Sequence, residues 1–244
     1  MKILLAHIKF QFLKLLRNPG FWVPTVLFPA MLYSFFGSSL PPEGIYSQIT
    51  IASFCVYAVL GVSFYQFGVG IAQDRESLFD NWLKTLPNVS IPSSLAQVLT
   101  AIVFSIIAVM LVLIASSFLG KTPLEGQMLV KLLLVCILIS VPASLMGVSL
   151  GYFASARSAP ALANLIFLPL AFLGGLWIPP IQMPQGINDI SIWSPTRQMG
   201  EFAWSAITGQ MPDTRVVVLF IAYSLFFGLL AILLIAHDKR KRFG

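Results

Sequence analysis

Long apolar runs separated by short polar segments dominate the pattern of the chain. Each of six runs is near the roughly 20 residues that a helix needs to cross about 30 Å of hydrocarbon. None of them shows the strict alternation of apolar and polar residues that a membrane-spanning β-barrel requires. The pattern therefore predicts an all-α fold with six transmembrane helices, over residues 21–40, 50–72, 95–119, 128–153, 159–178 and 215–236.

The first 17 residues have a different pattern, in which apolar residues recur along one face of a helix. The apolar stripe consists of Leu4, Leu5, Ile8, Phe12, Leu15 and Leu16. Basic residues lie off the stripe, and the break at Asn18-Pro19-Gly20 ends the helix. Residues 1–20 are therefore predicted to form an amphipathic helix in the cytoplasmic membrane interface, ahead of one six-span domain over residues 21–244.

Composition agrees with a membrane protein and excludes an ordinary soluble fold. Of the 244 residues, 57% are hydrophobic and 10% are charged, whereas soluble domains are about a quarter charged. The mean hydropathy is +0.87, and a soluble fold of this kind would expose large apolar patches. The net charge of +6 lies at the ends of the runs, so it indicates topology and anionic lipid rather than a nucleic-acid partner.

The distribution of Lys and Arg predicts the orientation of the spans in a plasma or inner membrane. With the N-terminus inside, only four of the fifteen basic residues fall in outer segments, namely Lys121, Lys131, Arg197 and Arg215. Cytoplasmic segments carry the excess of Lys and Arg in membrane proteins. Both termini are therefore predicted to be cytoplasmic, which suits an even number of crossings.

The inner loop over residues 73–94 carries charge and apolar residues in a helical pattern. Charged residues open it at the membrane edge as Asp74-Arg75-Glu76, and Pro87 ends the helical stretch. Between them, Leu78, Phe79, Trp82 and Leu83 recur at helical spacing, with Lys84 beside them. The pattern predicts a short amphipathic helix that lies on lipid or docks on a cytoplasmic partner, and the acidic residues at its start favour docking.

The outer segment over residues 179–214 contains several prolines and two amphipathic stretches. One stretch includes Ile187, Ile190 and Trp193, and the other includes Met199, Phe202, Ala203 and Trp204. We expect two short helices near the outer surface, before the last span.

No catalytic constellation or metal-binding motif stands out in the sequence. Cys55 and Cys136 lie inside apolar runs, where small core residues are expected. The spans hold almost no ionisable side chains near their centres, although ion-driven carriers usually keep such groups there. Gln66 and Asn164 are candidates for lining a transport route, although hydrogen bonding between helices is the commoner role of such residues.

A stripe of small residues lies in the fourth run. Gly147 and Gly151 are four residues apart, with Ser144 one turn earlier. Such a face permits close packing of helices, and the pattern favours packing within one chain over packing between chains.

Taken together, these residues resemble the membrane subunit of a type-2 ABC exporter over nearly the whole chain. The resemblance rests on the basic N-terminal helix, the six spans, and the loop from Gly70 through Asp74-Arg75-Glu76 to Leu86-Pro87. It also rests on the late stretch LGGLWIPP over residues 173–180, and on Trp193-Ser194-Pro195-Thr196 in the outer segment. Ser77–Asp80 departs from the glycine-containing stretch that is usual after the charged start of the loop.

The resemblance implies a permease in which two six-span subunits, identical or different, enclose the substrate route. It implies that a separate cytoplasmic ATPase holds ATP and Mg²⁺, so that this chain is not itself an enzyme and carries no cofactor. Residues 1–17 would contact that ATPase, and the inner loop would be the coupling helix. The coupling residues would be Asp74, Arg75, Glu76, Leu78, Phe79, Trp82, Leu83 and Lys84.

Three other functions remain open from the sequence. A secondary carrier would hold buried charges or an inverted repeat, and neither is visible. A membrane enzyme acting on lipids would show a polar catalytic cluster at one interface. An assembly or immunity protein without transport could share the same architecture. Copurification with an ATPase would separate the exporter from all three.

Overall fold

The computed structural model describes residues 2–38, 44–77, 90–119 and 124–243 of the chain. Regular structure within these residues is entirely helical. The helices are α1 (Lys2–Leu16), α2 (Pro19–Trp22), α3 (Phe28–Ser38), α4 (Ile45–Leu60), α5 (Phe67–Glu76), α6 (Ser90–Phe118), α7 (Gly126–Phe153), α8 (Ala159–Leu173), α9 (Gln185–Ser191), α10 (Pro195–Thr208) and α11 (Thr214–Phe243). Two π-helical segments, π1 (Val23–Leu27) and π2 (Gly61–Gln66), join α2 to α3 and α4 to α5. The predicted all-α class is confirmed for the described residues.

Four helical stretches are long and apolar enough to cross a membrane. They are Ile45–Glu76, Ala96–Phe118, Gly126–Phe153 and Thr214–Asp238, and they match four of the six predicted runs. Two further apolar helices, Val23–Gly37 and Ala159–Leu173, are shorter. Because α8 has 15 residues, it extends only about 22 Å along its axis. Membrane crossing by these two shorter helices stays a prediction.

Helix α4 lies at the centre of the bundle. Every residue from Ile51 to Leu60 is buried, and α3, α6, α7 and α10 pack against it. A helix that is apolar on all sides requires such a surround. At the periphery, α11 leaves Leu225 and Leu229 well exposed, which suits contact with lipid.

Glycines allow α5 and π2 to approach α7 at the distance of backbone contact. A Cβ atom built on Gly147 would lie 2.6 Å from the carbonyl oxygen of Ser63, and one on Gly151 would lie 2.7 Å from that of Gly68. Small residues are what permit such close approach between membrane helices. The prediction that Gly147 and Gly151 form a packing seam within one chain is confirmed.

Helix α1 is present as predicted and packs along α6. The rings of Phe12 and Phe104 stack with their centroids 5.1 Å apart, and Leu15 packs against the buried core. Leu5 and Leu16 remain exposed. One part of the apolar stripe therefore serves packing within the chain, and the other part remains available for lipid or a partner.

The outer segment contains the two predicted short helices, which differ in their exposure. Ile190 of α9 and the following Trp193 are exposed, as expected of a surface helix. In contrast, α10 buries Met199 and Ala203 and packs against α4 and α7. The prediction of two short helices is therefore confirmed, and the structure adds that α10, unlike α9, is buried in the bundle, where its polar side chains find partners.

Local sequence explains where several helices begin and end. Proline occupies the first turn of α2, α8 and α10, where its missing N–H costs no hydrogen bond. Gly209 ends α10 in the left-handed conformation with φ of 72°, which glycine adopts without strain. Gly175 has φ of 75° just beyond α8, so the chain leaves that helix through a turn that a side chain would strain.

We expect Gly68→Ala to lower thermal stability, because the new Cβ would lie 2.8 Å from the carbonyl oxygen of Gly147. Overpacking of this kind costs about 1–3 kcal/mol. The matched control is Gly70→Ala on the same helix, where nothing lies within 4 Å of the added atom. Thermal unfolding of both variants in detergent tests the seam, and equal stability of the two would contradict it.

Candidate functional site

The last turn of α5 carries three charged residues, and each is bound to a different part of the chain. Asp74 forms an ion pair with Lys14 near the end of α1. Glu76 accepts a hydrogen bond from the backbone N–H of Ala156 at 2.9 Å, in the turn between α7 and α8. These contacts fix the point at which the chain leaves α5.

Arg75, the middle residue of the three, makes the most deeply placed contacts. Its Nη1 donates to the carbonyl oxygen of Gly151 on α7, and its Nη2 donates to Oδ1 of Asp238 on α11, each at 2.6 Å. The guanidinium also lies 4.8 Å from the ring centroid of Tyr152. Because the side chains of Arg75 and Asp238 are only 15% and 13% exposed, water screens this ion pair less than it screens surface pairs.

The contacts of Asp74, Arg75 and Glu76 define one end of the bundle, which we call the charged end. It brings together the end of α1, the end of α5, the turn between α7 and α8, and the C-terminal part of α11. These are the segments that the positive-inside pattern assigned to one side of the membrane. Their assembly at one end of the bundle agrees with that pattern.

The inner loop begins directly at the charged end. Among the predicted coupling residues, Asp74, Arg75 and Glu76 are described, and the structure brings them together. The others, Leu78, Phe79, Trp82, Leu83 and Lys84, lie outside the described residues. Their role in contacting a partner stays a prediction.

Gln66 lies where two π-helical segments meet. It is the last residue of π2, and Thr25 of π1 places its hydroxyl 3.4 Å from Oε1 of Gln66. A π-helical turn inserts an extra residue into a helix and is frequent at functional sites. The side chain of Gln66 is half-buried and faces α1 and α6.

Asn164 occupies a different face of the bundle. It is exposed on α8, and its Nδ2 donates to the hydroxyl of Tyr65 at 3.3 Å. Tyr65 and Gln66 are consecutive residues, so their side chains point about 100° apart around the helix. The structure therefore does not bring the side chains of Gln66 and Asn164 together, although Asn164 contacts the residue next to Gln66.

A buried polar cluster in the outer segment was not anticipated from the sequence. Arg197 of α10 is 9% exposed and donates through Nε to Glu201 at 2.8 Å. Its Nη1 donates to Asn188 and to Ser191 of α9, at 3.2 Å and 3.1 Å. The sequence analysis counted Arg197 only as an outer basic residue, yet Glu201 four residues later was a signal for an ion pair along one helix face.

The same cluster ties α8, α9 and α10 to one another. Thr196 donates from its hydroxyl to the carbonyl oxygen of Leu170, and Ser191 donates to that of Leu173, each at 2.5 Å. On the inward side, the indole N–H of Trp204 donates to Ser53 Oγ of α4 at 2.8 Å. The outer segment is thereby fastened to the central helix.

The described part of the chain contains no cluster of metal-binding side chains. No group of three His, Cys, Asp or Glu side chains there could hold an ion. Cys55 and Cys136 are both buried and free, in keeping with the prediction that they are core residues.

Apolar helices with a charged end and a fastened outer segment define a polytopic membrane protein. The sequence profile of the ABC-2 type transporter family matches residues 3–208, so the chain belongs to that family of membrane transport permeases. The chain is similar to a protein of Bacillus subtilis (strain 168) named "Putative transport permease YvfS". The two are 23% identical over 225 residues, which cover 89% of this chain and 91% of that protein.

Removal of the ion pair between Arg75 and Asp238 is expected to destabilise the charged end. Arg75→Gln and Asp238→Asn should each lower thermal stability, because either change removes this ion pair from a partly buried charge. The double variant should lose less than the sum of the two, with a coupling of about 1–3 kcal/mol. The comparison is made by thermal unfolding in detergent.

The control for this cycle is Arg157→Gln, which changes an exposed arginine near the same end of the bundle. It should leave stability within about 0.5 kcal/mol of the parent protein. Strictly additive losses in the Arg75 and Asp238 variants would show that the two side chains do not act as a pair.

Proposed function

We propose that the chain is the permease subunit of an ATP-driven exporter, coupled to a separate cytoplasmic ATPase. Membership of the ABC-2 transporter family is the main support for the proposal, since the family profile matches residues 3–208. The geometry of the charged end supports it. A segment that is moved by another protein must be attached to the transmembrane helices if they are to move with it. Asp74, Arg75 and Glu76 provide that attachment.

In this proposal the inner loop is the coupling segment and α1 is the connecting helix. Leu78, Phe79, Trp82 and Leu83 supply apolar contact with the ATPase, and Lys84 helps to orient it. A displacement of the loop reaches α1 through Lys14, α7 through Gly151 and α11 through Asp238. The helices then move as packed units, since close-packed interfaces shift between discrete arrangements.

The proposed topology has six spans, with both termini on the cytoplasmic side of the plasma or inner membrane. The excess of Lys and Arg at the charged end supports this orientation. The two shorter helices, Val23–Gly37 and Ala159–Leu173, would complete the six crossings with help from the chain that flanks them.

The proposed active form pairs two permease subunits, identical or different, with the substrate route between them. Exposed residues of α8 support a protein-facing role for part of that helix. Asn164 lies there beside exposed Leu165 and Leu168, and an amide is poorly suited to hydrocarbon. Gln66 and Asn164 remain our candidates for residues of the route, on separate faces of the subunit.

Trp82→Ala is expected to uncouple ATP hydrolysis from export while leaving the amount of protein in the membrane unchanged. The indole is proposed to be the largest apolar contact with the ATPase. The matched control is Trp193→Ala, which removes an exposed tryptophan from the predicted opposite side. Export and ATPase rates of the copurified complex are measured together, and normal coupling in the Trp82 variant would contradict the assignment.

The partner and the orientation are tested by two direct measurements. Pull-down of the full chain from mild detergent, followed by mass spectrometry, is expected to recover an ATPase. A membrane-impermeant thiol reagent should label Trp82→Cys only from the cytoplasmic side and Trp193→Cys only from the outside. Background labelling should be low because Cys55 and Cys136 are buried. Labelling of Trp82→Cys from outside would overturn the topology.

A further inference from the structure

A cavity of about 90 Å³ opens between α1, α5 and α6, next to the charged end. On the same measure one water needs about 10–15 Å³, so the cavity holds roughly six to nine waters or one small polar group. It extends along the helix from Asp74 to Gln66. Eight residues of helix span about 12 Å, so the cavity reaches from the interface well into the bundle.

Side-chain amides from three different elements converge on this cavity. Gln11 comes from α1, Gln66 from π2 and Gln97 from α6. Gln11 is only 9% exposed, and among the described residues its amide has no hydrogen-bond partner. Gln97 likewise has none within the described part of the chain. Gln66 meets only Thr25, at the long distance of 3.4 Å, which leaves its Nε2 without a partner there.

The convergence of three amides on one cavity, where they have almost no hydrogen-bond partner among the described residues, needs an explanation. None of the three amides is among the enclosed polar atoms that lack a partner, so each faces the space of the cavity, where water or a ligand can hydrogen-bond to it. We take this as an indication that the amides form hydrogen bonds with a molecule that enters the cavity.

The rest of the lining defines the chemistry of that ligand. Apolar side chains form one wall, with Leu15, Val62 and Phe67 among them. The charges at the rim, Lys14 and Asp74, neutralise each other in an ion pair. No uncompensated charge from the described residues therefore faces the cavity, and the polar contacts on offer are amide donors and acceptors.

We propose that this cavity binds the polar part of an uncharged amphiphile, one that carries hydroxyl or amide groups next to an apolar chain. The amides of Gln11, Gln66 and Gln97 exchange hydrogen bonds with the polar part, and the wall of Leu15, Val62 and Phe67 covers the start of the apolar chain. The binding itself is independent of ATP. That the bound molecule is cargo rests on the proposed function.

The test measures saturable binding of radiolabelled 1-O-decylglycerol, whose head carries two hydroxyl groups, to the full chain in phosphatidylcholine nanodiscs, without nucleotide. Decyl sulfate and decyl trimethylammonium, which carry the same chain with a charged head, should compete at least about tenfold more weakly. Equal competition by either charged amphiphile would overturn the proposed ligand class. Absence of saturable binding would overturn the site.

Variants of the amides separate a binding role from a structural one. Gln11→Leu and Gln97→Leu should each weaken binding about fivefold, the effect of one neutral hydrogen bond. The same changes should leave Tm within about 2 °C of that of the parent protein, because neither amide has a protein partner to lose. A structural role predicts lower Tm instead, so a larger fall in Tm, or unchanged affinity, would overturn the proposal.

Gln127→Leu serves as the matched control, since Gln127 is exposed in the first turn of α7 and does not line the cavity. It should leave affinity for 1-O-decylglycerol unchanged. A nanodisc containing diacylglycerol then identifies the source of the ligand. Displacement of 1-O-decylglycerol supports a bilayer lipid, and undisturbed binding supports a single-chain amphiphile. Export measurements are separate, so failure of the cavity would leave the ATPase coupling proposal standing.

Discussion

The backbone contact that π2 and α5 make with α7 is the constraint on which the rest of the structure depends. Lipid offers no hydrophobic drive for one helix to join another, so membrane helices associate through close packing and polar contacts. The carbonyl oxygens of Ser63 and Gly68 meet α7 where Gly147 and Gly151 have no side chains. That contact sets the position of α5, and thereby the position of Asp74, Arg75 and Glu76 at its end.

Much of the fold could be predicted from sequence because local patterns specify it. The apolar runs, the amphipathic stripe of α1 and the small-residue face at Gly147 are all readable within a few turns of helix. The ion pair between Arg75 and Asp238 was not readable, since the two residues are 163 positions apart. The π-helical segments were missed for another reason: an inserted residue leaves the apolar composition of a span unchanged.

The site was predicted in part. The charged start of the inner loop stood out because Asp74-Arg75-Glu76 interrupts an apolar sequence at the membrane edge. The partners of these residues come from α1, α7 and α11, and only the tertiary fold brings them together. The burial of α10 also lay beyond sequence reasoning, because its mixture of Arg197, Gln198 and Thr196 has the composition of a surface helix. Inside the bundle Arg197 pairs with Glu201, and the side chains of Thr196 and Gln198 donate to backbone carbonyls.

The uninterrupted helical stretch from Ile45 to Glu76 has a mechanical consequence. Its 32 residues measure about 48 Å along the axis, well beyond the roughly 30 Å of hydrocarbon that a bilayer offers. The rod must therefore tilt or project from the membrane. A tilt applied at one tip displaces the other tip in the opposite direction, with π2 near the midpoint. Within the proposed coupling, a push on Glu76 would therefore reach the region of Ile45 as a sideways displacement.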